Sequence, residues 1–174
     1  MPEEIVGQKI TLKLLESKYF DEYHGMFSST VRIILGLPET ATLEETRDFL
    51  SKTVEALNNG ENSKYKAFYC VFDNLDGKLI GALDIREPGC KDGQLGTWIN
   101  ENYWGSGRYQ EVLNLGLKAY FRSNDIDTIN AYVRVANIRS LKAHQKYGFE
   151  IVGELEVNCN DCYEIVITRD KVLN

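Results

Sequence analysis

Two glycines bracket a serine at Gly105-Ser106-Gly107, and Arg108 and Tyr109 follow directly. Upstream, Gln94 to Asn100 reads as a strand; downstream, Gln110 to Phe121 repeats apolar residues at helical spacing. A tight glycine turn between strand and helix leaves consecutive backbone N–H groups unpaired and facing outward. Such a turn suits phosphate oxygens. The helix dipole adds partial positive charge at the same end, and Arg108 a full one. The Gly-Lys-Ser/Thr ending of a nucleotide-binding P-loop is absent, which excludes that use of the turn.

A second chemistry-bearing stretch follows, Tyr132-Val133-Arg134-Val135-Ala136-Asn137-Ile138-Arg139-Ser140, and after it Lys146-Tyr147-Gly148-Phe149. The run Tyr103-Trp104-Gly105-Ser106-Gly107, the Asn-x-x-Ser pattern beginning thirty positions after Gly107, and Lys-Tyr-Gly-Phe together resemble the GNAT acyltransferases. Within them the chain is similar to ribosomal-protein N-terminal acetyltransferases and spermidine acetyltransferases. The resemblance is strongest from Gly77 to Glu154 and weaker before Lys66. It implies a GNAT fold, an α/β (α+β) arrangement in one domain over residues 1–174, with a central mixed, mostly antiparallel twisted sheet of about seven strands and about four helices. It also implies acetyl-CoA as cosubstrate, a primary amine as acceptor and a monomer or homodimer.

Residue by residue, the resemblance gives the backbone N–H groups of Gly105, Ser106, Gly107, Arg108, Tyr109 and Gln110 to the pyrophosphate of the coenzyme. The strand holding Trp98, Ile99 and Asn100 is expected to splay from the next strand and offer its edge to the pantetheine amides. Asn137 orients the coenzyme arm and Ser140 donates a hydroxyl to the departing thiolate. His144 falls where many members carry a general-acid tyrosine; with an ordinary pKa of ~6.5, an imidazolium there protonates a thiolate more readily than tyrosine does. Two positions depart from the family. Trp104 stands where many members have Arg or Gln, and Tyr109 stands where Ala or Gly is usual. The Tyr109 ring either projects away, leaving its N–H free, or fills the phosphate bed.

Acyl transfer to an amine also requires a neutral nucleophile. Asp84, Glu87 and Glu101 lie near strand ends that would face a cleft, and each can act as a base through a water. A peptide α-amine with a pKa near ~8 is already neutral about a tenth of the time at pH 7, so it tolerates a poorly defined base, whereas lysine near ~10.4 does not. The acceptor is therefore expected to be a protein N-terminus or a small amine. Polyamine or aminoglycoside acetylation is the alternative, favoured by the acid balance including Glu154, Glu156 and Asp161. A GNAT-fold binding or regulatory domain without turnover is the reading that a filled phosphate bed would support.

The chain has 174 residues with a net charge of −6, which opposes a general nucleic-acid surface and suits a cationic acceptor. Hydrophobic content of 43% and charged content of 26% are those of a globular domain, without repeats or low-complexity tracts. The first residues lack the pattern of a signal peptide and no apolar run spans a bilayer, so a cytoplasmic protein without membrane contact is expected. Cys159 and Cys162 form one Cys-x-x-Cys in an expected hairpin turn. A structural zinc wants a second pair, and His24 and His144 are not spaced to supply it, so no metal is expected.

The elements that must position these residues follow from period and punctuation. Ile10, Leu12 and Leu14 alternate as a strand, and Ser17 is placed to cap a helix with Phe20, Tyr23, His24 and Phe27 on one side. Thr42 and Glu45 form a capping box for a helix striped by Leu43, Phe49, Leu50, Val54 and Leu57 and stopped at Asn59-Gly60. Ala67 to Phe72, Leu79 to Arg86 and Gln94 to Asn100 read as a meander. The helix after the glycine turn, a strand over Thr128 to Val135, a helix over Ile138 to Tyr147 capped by Asn137, and a hairpin of Phe149 to Val157 with Tyr163 to Thr168 complete the order β-α-α-β-β-β-α-β-α-β-β.

Overall fold

The computed structural model describes residues 1–59 and 63–174. Strands β1 (Glu4–Val6) and β2 (Ile10–Leu14) lead through a 3₁₀ turn into helices α1 (Phe20–Met26), α2 (Ser29–Ile34) and α3 (Leu43–Asn58). The meander is β3 (Tyr65–Asp73), β4 (Leu79–Arg86) and β5 (Leu95–Ile99). It is followed by α4 (Arg108–Ser123), β6 (Thr128–Arg134), α5 (Ile138–Tyr147), β7 (Glu150–Val157), β8 (Asn160–Thr168) and α6 (Arg169–Leu173). Every expected element is present, and β1, α2 and α6 are additional. These three have only three, six and five residues, too few for a hydrophobic period to register.

Local chemistry explains most boundaries. Thr42 Oγ1 accepts from Glu45 N at 3.1 Å while Glu45 Oε2 accepts from Thr42 N at 2.7 Å, so the capping box opens α3. Its buried face is Thr46, Leu50 and Thr53, and Phe49 is half-exposed, which corrects the expected stripe. The two threonines tolerate burial because their hydroxyls donate to Thr42 O and Phe49 O, one turn back. Asn59 ends α3; Gly60, expected to share that stop, lies outside the described residues. Ser17 does not cap α1. It sits inside the 3₁₀ turn, and the residue before α1 offers no side-chain cap.

The strands form two sheets, not one. The first has the order β1-β2-β3-β4-β5 and the second β6-β8-β7, with every pair antiparallel. The start of β5 meets β6 where Gln94, the residue before β5, faces Asn130: Gln94 N donates to Asn130 O at 3.1 Å and Asn130 N donates to Gln94 Oε1 at 3.2 Å. Beyond that point no ladder joins them among the described residues.

Both faces of the larger sheet are covered, which is why β3 reads as an unbroken apolar run. Ala67, Tyr69 and Val71 pack with α4, β6 and β8, while Phe68, Cys70 and Phe72 pack with α1 and α3. Helix α4 lies tight on the sheet through Gly116, where a Cβ would come within 2.8 Å of Leu83 Cδ2. Leu83 is fully buried and has nowhere to retreat. Gly116→Val is therefore expected to overpack this contact and lower unfolding free energy by about 1–3 kcal/mol, read from urea midpoints at unchanged m-value.

Candidate active site

The site lies where the two sheets part. Gly105 (φ 74°) and Gly107 (φ 82°) adopt left-handed backbone, the conformation only glycine takes without strain, and Gly107 is the N-cap of α4. From Gly105 to Gln110, none of the six N–H groups has a hydrogen-bond partner among the described residues. The Gly107 carbonyl accepts from Glu111 N, which starts the helix. Ser106 Oγ donates to Tyr103 O at 2.6 Å, pinning the turn from inside.

Arg108 does not bring its charge to this turn, contrary to the expectation from sequence. Its Nε and Nη2 donate to the Asp73 carboxylate at 2.9 and 3.1 Å, a bidentate pair in which Asp73 is 2% exposed. The full charge at the turn belongs to Lys9, whose Nζ donates to Ser106 O at 2.7 Å. Lys9 stands at the mouth of β2, distant in sequence, and no local pattern marks it.

The Tyr109 side chain leaves the phosphate bed. Its ring lies edge-on to His144, centroids 5.6 Å apart, and its hydroxyl meets His144 Nε2 at 3.2 Å. Of the two orientations open from sequence, the ring takes the one that leaves its N–H free. Burial pushes the phenol pKa well up, against the Ser140 and Thr97 hydroxyls, which lower it. The other ring nitrogen of His144, Nδ1, lies 2.9 Å from Ser140 O and 3.3 Å from Ser140 Oγ. A carbonyl can only accept, so Nδ1 carries the proton and Nε2 accepts from Tyr109. The hydrogen bonds run in one direction, Tyr109 to His144 to Ser140, and the Ser140 O–H remains free to donate outward.

His144 is 3% exposed, and burial lowers its pKa from 6.5 to about 4, against the hydrogen bond to Ser140 O. At neutral pH it is an imidazole, which corrects its expected role as an imidazolium acid. Asn137 Oδ1 accepts from Ser140 N at 3.2 Å, capping α5 and setting Ser140 at its first turn. Gln110 Nε2 donates to Ala143 O at 2.8 Å and ties α4 to α5.

Strand β5 has one edge free beyond Gln94. Asn100 N donates to Ile80 O at 2.8 Å, so by alternation Trp98 and Gly96 also turn their backbone groups to β4, whereas Thr97 and Ile99 turn theirs to the open side. The edge expected at Trp98, Ile99 and Asn100 is thus built from Thr97 and Ile99. Trp104 Nε1 takes the Ile99 carbonyl at 2.9 Å, and the Arg139 guanidinium covers the Trp104 ring at 4.3 Å. The Trp98 ring stacks on Phe27 at 4.6 Å and donates to Tyr23, so it belongs to the core. Asn100 Nδ2 donates to Met26 O. Thr97 was not named from sequence; the strand's phase against β4 would have pointed to it.

Two cavities meet here. One, about 320 Å³, runs from Gly105 and Gly107 past Tyr109 to Thr97 and Ser140, with Arg139, Lys142 and Lys146 and no carboxylate in its lining. The other, about 840 Å³, lies on the far side of the same divide and contains Asp84, Arg86, Arg32 and Arg134. Thr97, Trp98, Asn137 and Ser140 line both. Of the three expected bases only Asp84 lines either of these two cavities. Burial raises its pKa, opposed by Arg86, whose Nε stands 2.7 Å from Oδ2. Gly96 makes room for that pair, since a Cβ there would strike Asp84 Oδ1 and Arg86 Nη2. Glu87 pairs with Lys66, and Glu101 accepts from Ser28 Oγ at 2.6 Å; neither lines one of these two cavities. Glu154, Glu156 and Asp161 are absent from both linings as well.

His24 Nδ1 lies 2.9 Å from Thr46 Oγ1 as a bridge between α1 and α3. Cys159, exposed at φ 60° in the β7–β8 turn, and buried Cys162 are both free thiols. No cluster of metal-ligating side chains and no helix long and apolar enough to cross a membrane occurs among the described residues.

A family model described as an acetyltransferase (GNAT) domain matches residues 9–150. Among solved structures, the chain is similar to spermidine N-acetyltransferase from Vibrio cholerae in complex with CoA and spermine, at 19% identity and TM-score 0.77, covering 97% of this chain and 100% of that one. It is similar to the ribosomal L7/L12 α-N-protein acetyltransferase RimL in complex with coenzyme A, at 21% identity and TM-score 0.79, covering 96% and 98%. A third is the ribosomal-protein-S5-alanine acetyltransferase from Vibrio fischeri, at 20% identity and TM-score 0.76, covering 96% and 97%. No curated protein sequence matches.

The His144 environment has a direct consequence for stability. Between pH 6.5 and about 4 the unfolded chain binds a proton that the buried imidazole refuses, so its contribution is complete above pH 6.5 and is lost as pH falls toward 4. The loss is expected to reach up to about 3 kcal/mol. Urea unfolding of wild type and His144→Gln across that range isolates it: the stability difference between the two should shift with pH in that window and stay flat above pH 7.

Proposed function

This chain belongs to the GNAT acetyltransferase family, and we propose that it transfers the acetyl group of acetyl-CoA to a primary amine, with a peptide N-terminal α-amine as acceptor, in the cytoplasm. The observation that carries the reading is the run of six unpartnered N–H groups at Gly105–Gln110, opening onto a cavity that reaches Ser140. Phosphate oxygens complete such a bed, and the dipole of α4 adds to it. Lys142, Lys146 and Arg139 supply formal charge along the same wall for the remaining phosphate. The free N–H and C=O of Thr97 pair with amide groups of an extended arm lying between β5 and α5. Both solved relatives captured with CoA have the same fold, which supports the donor. Four free thiols suit a reducing compartment.

The thioester supplies an activated acyl carbon. The amine enters from the 840 Å³ cleft, attacks that carbon, and the carbon–sulfur bond breaks; the nitrogen releases one proton and the sulfur takes one. Asp84, held by Arg86, receives the amine proton through water. Ser140 donates a hydrogen bond to the departing thiolate, which takes its proton from water, and the hydroxyl is oriented for this by His144 Nδ1–H, itself fixed by Tyr109. His144 and Tyr109 are positioning residues, and Ser140 is the catalytic donor. Of the acidic balance that favours the alternative of a polyamine or aminoglycoside acceptor, Glu154, Glu156 and Asp161 do not line the cleft, which supports the α-amine reading over it. The reading as a binding domain rested on a filled phosphate bed, and the Tyr109 ring does not fill it.

Titration with acetyl-CoA is the first test. Micromolar binding is expected, weakened at least tenfold in Gly107→Leu, where a side chain strains the left-handed backbone (φ 82°) and crowds Lys9 Nζ, 3.0 Å from the Cβ position. Absence of binding to a wild-type protein with an intact melting transition would overturn the reading. For the donor chain, Ser140→Ala should lower kcat about 10²-fold and Tyr109→Phe about tenfold. In both, the KM for acetyl-CoA should stay near wild type; a matching rise in KM would show instead that these residues only hold the coenzyme.

A further inference from the structure

The whole chain carries a net charge of −6, yet the larger cleft is lined by Arg32, Lys64, Arg86 and Arg134 against Glu45, Asp84 and Asp92. Two of these acids are already engaged. Asp84 is paired with Arg86, and Glu45 closes the capping box of α3, where the Thr42 backbone and hydroxyl hold its pKa down. Arg32 and Arg134 have no carboxylate within 4.0 Å among the described residues.

Both arginines hold the segment that walls the cleft, and each does so with only part of its fork. Arg134 Nη1 donates to Ile33 O at 2.8 Å and to Ile34 O at 3.4 Å, and Arg32 Nε donates to Pro38 O at 2.9 Å. Gly36, at φ 75°, lies against the Arg134 guanidinium, where a Cβ would stand 3.3 Å from Cδ and 3.4 Å from Nε. The Nε–H and Nη2 hydrogens of Arg134 have no partner among the described residues, and that edge is the one that grips a carboxylate side-on. Strand alternation puts Ile129, Ala131 and Val133 into the core and turns Arg134 to the cleft, one turn of chain from Asn137 and Ser140. Arg134 does not line the smaller cavity, so it is not placed for the donor's phosphates.

We propose that the acceptor bears a carboxylate near its reacting amine, and that Arg134, with Arg32 beside the same loop, binds it. This deepens the acetyltransferase reading and rests on it. The chemistry is an α-amine with an anionic group a few bonds away, either an acidic peptide N-terminus or a free amino acid. A polycation such as spermidine is disfavoured by the same charges.

The test uses the full chain, acetyl-CoA and three peptides that differ only at their second and third residues, Asp-Asp, Asn-Asn or Lys-Lys, with free aspartate and glutamate as a separate arm. The acidic peptide or the free amino acids should show at least tenfold higher kcat/KM than the neutral and basic peptides. In Arg134→Gln that preference should collapse to within about threefold, chiefly through KM, with acetyl-CoA affinity unchanged. Should Arg134→Gln disturb folding, Arg32→Gln and a salt series on wild type, which should erode the preference, give the same reading. Higher turnover on the neutral or basic peptide overturns the inference and leaves the transferase reading standing. So does acetyl-CoA binding with no turnover on any of these acceptors. Failure to bind acetyl-CoA removes both.

Discussion

Everything in this molecule that bears on chemistry follows from an interrupted sheet. β5 and β6 touch through the reciprocal bonds of Gln94 and Asn130 and then part. An exposed strand edge is ordinarily a liability, because its unpaired amides seek another strand. Here the edge is short, walled by α5 and Trp104, and faces a cavity lined by Arg139, Lys142 and Lys146. The same parting creates the larger cleft on the other side of Thr97 and Ser140, so the two cavities share those residues as a common wall.

Packing on both faces of the larger sheet keeps the gap open. Alternate residues of β3 serve two separate cores, one beneath α4 and one beneath α1 and α3. The close approach of Gly116 to Leu83 sets the depth at which α4 sits, and with it the height of the glycine turn above β5. The buried Asp73–Arg108 pair fixes the first residue of α4 to the end of β3. Two chain-distant elements are thereby held in register at the point where precision matters, with an ion pair that is well formed and hydrogen-bonded on both oxygens.

Much of this was legible in the sequence, because the long elements carry their own period. The capping box at Thr42, the meander, the glycine turn and the Asn137 cap are local patterns and are found where expected. What sequence could not give are relations across the chain. Arg108 reads as a phosphate ligand until Asp73, thirty-five positions earlier, is seen to hold it. His144 reads as an acid until burial and the Ser140 carbonyl fix it as a neutral relay. Phe49 reads as core until Thr46 and Thr53 are seen to bond their own helix and take its place. In each case a partner or a burial level decides the role, and neither is written in local spacing.

The neutralised Arg108 gives the glycine turn an unusual electrical character. The bed itself acts through oriented amides at contact distance, with Lys9 Nζ bonded to its Ser106 carbonyl, while Lys142 and Lys146 stand apart from it along α5. Mobile ions screen charges that act over a Debye length far more than they screen dipoles in direct contact. Added salt would therefore slow the arrival of a polyanionic ligand while scarcely changing how long it stays, so that ionic strength tunes capture and the backbone sets residence.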